Sequence, residues 1–259
     1  MSPFLVPLIA LLPVLVSAAP GLARDQAQSP ASPDAAALYA DCMNLARVQP
    51  EEAFEKASAW AALDGGSAAR HCAAIALLGL GQYGESAHRL ETLADELQGP
   101  DGKLRAGVLA QAGQAWLLAG DATRAYATQS AALKLEPDNV ELLIDRAVTL
   151  ASAENYWEAI DDLNAAQELA PKRADVLIFR ASAYRYVDAN ELALDDVNRG
   201  LKLEPDNPEG LLERGILRRL AGDAAGARED WLKVVTVAQG SPAAEAAQAN
   251  LEALDVKAE

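Results

Sequence analysis

Apolar and small residues fall along this chain at one fixed long step. Leu109, Leu143, Leu177 and Leu211 are 34 residues apart. Two columns of small residues keep the same step: Gly113, Ala147, Ala181 and Gly215, and then Ala125, Ala159, Ala193 and Ala227. Three polar segments share the phase, LKLEPDN at 133–139, QELAPKR at 167–173 and LKLEPDN at 201–207, which place Pro137, Pro171 and Pro205 at matching positions. A period of this length predicts one helix pair per repeat. Small residues let two helix backbones approach closely. A proline stops the second helix because it lacks an N–H and fixes φ. Gly120 and Gly222 fall at the turn between the two helices, where a left-handed backbone is often needed. Glu154 and Asp188 hold that place in the other two repeats, which are therefore expected to turn differently.

The residues Leu109, Gly113, Trp116, Gly120, Ala125, Ala132 and Pro137 together resemble the tetratricopeptide repeat, a helix–turn–helix unit of the same length. The resemblance implies an all-α fold, a right-handed α-solenoid of helix–turn–helix units. Four regular units are expected at 106–139, 140–173, 174–207 and 208–241. In the last, Gln239 replaces the closing proline and Pro242 follows; residues 242–259 are read as a capping helix and tail, because solenoid ends need their last apolar face covered. Upstream, 34–66 and 67–105 are read as two degenerate repeats, with a loop signal at Gln98–Lys103 marking a slight break before the regular units.

The first 23 residues carry no charged side chain, and Phe4–Val16 is an apolar run of 13 residues. A bilayer span takes about 20 residues, so this run is too short. It reads as a signal peptide over 1–23, cleaved after Ala23 or alternatively after Ala18, although no Lys or Arg opens it. The expected location is periplasmic or secreted, with no stable membrane span after cleavage. No cysteine lies near the cleavage region, so a lipoprotein anchor is not supported. Residues 24–33 are polar and read as a disordered lead-in.

Charge and composition narrow the functional classes. The formal charge is −16 and no basic stripe is visible, which argues against nucleic acid as a ligand. The chain has no glycine-rich phosphate loop, nucleophile elbow or H-E-x-x-H motif, and no cofactor is expected. Asp161 with Asp162 and Asp195 with Asp196 are paired carboxylates, but they recur at one register, which points to structural repetition. The reading is therefore not an enzyme.

Comparing repeats within the chain reveals a covariation. The seventh place holds Ala112, Arg146, Arg180 and Arg214; the twenty-third holds Thr128, Asp162, Asp196 and Asp230. Arg and Asp appear together in three units and vanish together in one. An internal ion pair within a unit or between neighbours explains this, since an unpaired buried charge is costly. The alternative is that the arginines bind an anionic ligand.

The resemblance also implies that first helices line a concave surface through their fifth, ninth and twelfth places. Those places lie four and three apart, on one helical face. The expected partner-binding groove comprises Ile144, Val148, Ile178, Arg185, Tyr186, Leu212, Ile216 and Arg219. It reads as apolar in its middle and basic toward one side, suited to an apolar peptide carrying some acid. The same stripe fits a groove covered by the chain's own ends, by the capping helix or by a second copy.

Cys42 and Cys72 fall on adjacent first helices and are expected to form a disulfide in an oxidising compartment, or to be buried thiols in a reducing one. With His71 and His88 they lack the close spacing of a metal site, and the histidines read as ordinary helix residues. Trp116 and Trp231 are expected in the core, and Trp60 and Trp157 as packing residues. Three functions fit: an adaptor or scaffold binding an unknown protein or peptide of the cell envelope, a self-associating envelope component forming a homo-oligomer, or a module associated with cell-wall carbohydrate.

Overall fold

The computed structural model describes residues 33–97 and 102–256. The expected signal peptide and most of the lead-in lie outside them. All regular structure among the described residues is helical. The helices are α1 (Pro33–Val48), α2 (Pro50–Ala62), α3 (Gly66–Gly79), α4 (Tyr83–Glu96), α5 (Lys103–Leu118), α6 (Ala122–Leu135) and α7 (Val140–Ser152). They continue as α8 (Tyr156–Leu169), α9 (Ala174–Tyr186), α10 (Asn190–Leu203), α11 (Pro208–Leu220), α12 (Ala224–Val237) and α13 (Pro242–Val256). The fold is an all-α solenoid of helix–turn–helix units. The described residues form two compact units that divide inside α7, after Asp145. In the first, α1 to α6 pack each on the next, and α1 also packs on α3. In the second, α8 to α12 do the same, α9 also packs on α11, and α13 covers α12 and α11.

Local chemistry sets the helix ends. Pro50 and Pro208 open α2 and α11, where a missing N–H costs nothing. The side chains of Asp121, Asn207 and Asp223 accept backbone N–H groups in the first turns of α6, α11 and α12. The expectation that Glu154 and Asp188 turn differently is corrected. Both adopt the left-handed backbone of Gly120 and Gly222, with φ of 62° and 59° against 81° and 87°. The following N–H closes the same bond in each case: Asp121 to Trp116 O, Asn155 to Leu150 O, Ala189 to Tyr184 O and Asp223 to Arg218 O, all at 2.8–2.9 Å. The turn geometry is fixed by these bonds, and two repeats hold it with a side chain for which it is strained.

In two repeats the eighth and twenty-fourth places meet in close contact. A Cβ on Gly215 would lie 2.3 Å from Trp231 Nε1, so the fully buried indole requires glycine opposite it. Trp231 sits among Ala181, Val197, Leu211, Leu217 and Val234, and α13 closes this cluster with Ala243, Ala247 and Leu251. Gly113 stands in the same relation to Gln129, at 2.6 Å from Cγ. Trp116 is also buried, and Trp60 is half-buried against Gly65. Trp157, expected to pack, is instead 61% exposed at the start of α8. A disulfide joins Cys42 on α1 to Cys72 on α3, and both sulfurs are buried. Closing a loop of this size stabilises by about 3–4 kcal/mol on the chain-entropy model.

Gln129 is fully buried with neither amide atom hydrogen-bonded, while Leu163, Val197 and Trp231 hold its place in the other repeats. Leaving such a group unpaired costs about 1–3 kcal/mol. Gln129→Leu is therefore expected to raise stability by that order, read as a higher denaturant midpoint at unchanged slope.

Candidate functional site: the polar and apolar positions of the first helices

The seventh-place arginines are bound internally. Arg146 Nε and Nη2 donate to Asp162 at 2.8 and 2.7 Å, and Arg214 repeats the fork on Asp230 at 2.9 and 2.6 Å. Arg180 does so on Asp196 at 2.6 and 2.9 Å and donates its third nitrogen to Asn164. Each aspartate lies in the same repeat as its arginine, on the second helix, whereas Asn164 belongs to the repeat before that of Arg180. The hydrogen bond to Asp196 is the main cause that holds the Arg180 guanidinium above its ordinary value, against its burial. Arg218 adds a further donor to Asp230. In the first regular unit, Thr128 donates instead to Glu91 on α4.

The expected groove residues separate into three groups. Ile144, Val148, Ile178 and Leu212 are buried, so they do not form an open apolar stripe. Ile178 is wedged against Gly200 on α10 and Gly210 on α11, and Leu212 belongs to the core around Trp231. Arg185 is corrected from a groove cation to an internal one. Its Nε donates to Glu213 Oε1 at 2.5 Å and its Nη2 to Oε2 at 3.2 Å. Burial opposes its charge, yet the Glu213 carboxylate beside it raises its affinity for the proton. Tyr186 stacks on Tyr156 with ring centroids 4.6 Å apart, and the Arg185 guanidinium lies 4.4 Å from its ring centre. Ile216 and Arg219 are half-buried; beside them Leu220 is 62% exposed.

Sequence reasoning missed a set of polar links between successive first helices at the sixth place, which holds Gln111, Asp145, Phe179 and Glu213. Glu213 takes Arg185. Gln111 Oε1 accepts from His71 Nε2 at 2.6 Å, and His71 Nδ1 accepts from the Tyr39 hydroxyl at 2.8 Å. This chain runs from α1 through α3 to α5, beside the disulfide. Asp145 Oδ2 accepts from Gln114 Nε2 at 2.9 Å. The signal available in the sequence was polarity at three of four sixth places. Burial lowers the His71 value from 6.5 to about 4, although its bond to Gln111 raises it. Burial likewise pushes the Asp145 carboxyl up to about 7; the Gln114 bond lowers it and the charge of Glu141 adds to the rise.

Among the described residues, no group of three or more His, Cys, Asp or Glu is placed to hold a metal ion. No helix among them is long and apolar enough to cross a membrane.

No family model and no curated protein matches the chain. Solved structures share its fold. One is MamA, residues 41 to the end, from Desulfovibrio magneticus RS-1, at 21% identity and TM-score 0.58, covering 68% of this chain and 97% of that one. Another is the carboxy-terminal part of a TPR repeat-containing protein from Cytophaga hutchinsonii, at 16% identity and TM-score 0.61, covering 84% and 95%. A third is YrrB, described as a TPR protein with an unusual peptide-binding site, at 19% identity and TM-score 0.54, covering 67% and 88%. The chain has the tetratricopeptide-repeat fold.

Two outcomes follow. Removing one member of a buried ion pair leaves the other charge uncompensated, which costs about 3–5 kcal/mol. Arg180→Ala is expected to lose stability of that order in chemical denaturation. For His71 the folded-state value is depressed, so the unfolded chain binds the proton more readily. Its contribution is fully present above pH 6.5 and is lost as pH falls toward about 4. Melting curves across this window are expected to show a loss that is absent in His71→Gln.

Proposed function

We propose that this chain is a non-enzymatic adaptor or scaffold of the cell envelope, holding a segment of a partner protein against its first helices. The observation that carries this reading is the apolar surface left on α11. Ile216 and Leu220 lie four residues apart on one helical face, with Arg219 between them, and Leu220 is largely exposed. An exposed apolar position beside a cation suits docking of a partner segment. The fold shared with YrrB, a protein described by its peptide-binding site, supports the same reading. Export is supported by the apolar run Phe4–Val16 and by the disulfide between Cys42 and Cys72, since disulfides persist in oxidising compartments.

Self-association is the second reading. Leu169, Leu203 and Val237 recur every 34 residues at the ends of α8, α10 and α12, and each is nearly half exposed. Light scattering of the purified chain separates a monomer from such an assembly.

Aspartate at 144 or 178 would disrupt buried packing, so the adaptor reading is tested elsewhere. Leu220→Asp, which leaves the packing of Ile216 on the core intact, is expected to abolish partner recovery in a crosslinking pull-down from the source cell. The melting temperature is expected to change little. Recovery of the same partners by the folded variant would overturn this placement of the groove.

A further inference from the structure

The sixth-place links differ in how completely their carboxylates are satisfied. Glu213 receives a forked guanidinium from Arg185, the twelfth-place residue of the preceding repeat. Asp145 occupies the equivalent place two repeats earlier, and the twelfth place before it is Leu117. Asp145 therefore receives only the neutral amide of Gln114, and on one oxygen. Glu141, one turn before it on α7, adds negative charge rather than relief. Two carboxylates in one register thus have opposite fates. One is neutralised from within the chain, and the other is left half-buried with an unmet demand for a cation.

Resting on the adaptor reading, we infer that Asp145, steadied by Gln114, receives a lysine or arginine of a partner segment lying on α5, so that this segment is an apolar peptide carrying a basic residue. This reverses the polarity expected from the groove arginines, because Arg185 is already paired within the chain. The face of α5 that carries Gln114 also carries Gly107 and Ala110; Gly107 is exposed and the other two are half-buried. A backbone can lie close to the helix there and bring a long basic side chain to the carboxylate. The chain's charge of −16 favours the approach of a basic segment. The carboxyl value near 7 is what burial without a cation produces, and a bound cation would lower it. Glu141 on α7 and the neutral Gln114 on α5 are the groups that act on it, so binding weakens as pH falls below neutrality and Asp145 is protonated.

The test is selection of random dodecapeptides displayed on phage against the intact exported chain. Affinities of the enriched sequences would then be measured for the parent protein and Asp145→Asn. That variant keeps the shape and an acceptor for Gln114, and it is expected to melt higher than the parent at pH 8, because it removes a buried charge. The expected result is enrichment of apolar peptides with one basic position. Asp145→Asn is expected to lower their affinity about tenfold or more at pH 8, the scale of a charge-assisted hydrogen bond. Replacing the basic residue of the peptide by glutamine should cost as much, and no more when combined with Asp145→Asn. Peptides enriched without a basic position, or bound equally by Asp145→Asn, would overturn the role of Asp145 and leave the adaptor reading standing. Failure to enrich any peptide would overturn both.

Discussion

Each repeat closes on the approach of its first helix to its second, and the sizes of two side chains set that approach. Where the twenty-fourth place is the indole of Trp231, the eighth is Gly215, and no Cβ would fit. Where it is Leu163 or Val197, the eighth is Ala147 or Ala181, and all four are buried. At Gly113 and Gly215 the missing Cβ leaves the room that Gln129 and Trp231 fill, as close packing demands. The same closeness brings the seventh and twenty-third places together. An arginine on one helix and an aspartate on the other then meet as a fork, so the ion pairs depend on the apolar contact beside them.

These internal pairs shape what remains for function. The arginines at the seventh place are held by Asp162, Asp196 and Asp230, and Arg185 is held by Glu213. An acidic chain that spends these cations inside itself presents few of them to a partner. The polar links at the sixth place carry the first helices across from one repeat to the next. They reach as far as His71, whose neutral ring joins α1, α3 and α5 through Tyr39 and Gln111. The disulfide at the same point fixes α1 covalently. This end of the stack has the least regular sequence, and it is held by a covalent bond and a buried polar chain where the regular repeats rely on size matching.

The helical solenoid was legible because its columns are strict: leucine, small residue, alanine and proline each return at one step. The link between arginine and aspartate was legible as residue types that change together. Burial was less so. The fifth and ninth places share one helical face and the register leaves it open or covered; Ile144, Val148, Ile178 and Leu212 are buried. Trp157 shows the reverse, a large aromatic left exposed. Both depend on what neighbouring helices bring, which a repeat register does not encode. At Glu154 and Asp188 the hydrogen bonds decide the backbone over residue preference, so these turns match those at Gly120 and Gly222. His71, expected as an ordinary helix residue, is instead a buried link between Tyr39 and Gln111; its role and that of Asp145 lie in pairings made across repeats.

The size-matched contact is tested most directly by a double-mutant cycle on Gly215→Ala and Trp231→Leu, which together rebuild the pair found at Ala147 and Leu163. Stability would be measured by chemical denaturation for the parent, both single variants and the double variant. If the contact sets the stack, the double variant is more stable than Gly215→Ala alone, with a favourable coupling of about 1–3 kcal/mol. Simple additivity of the two losses would contradict it.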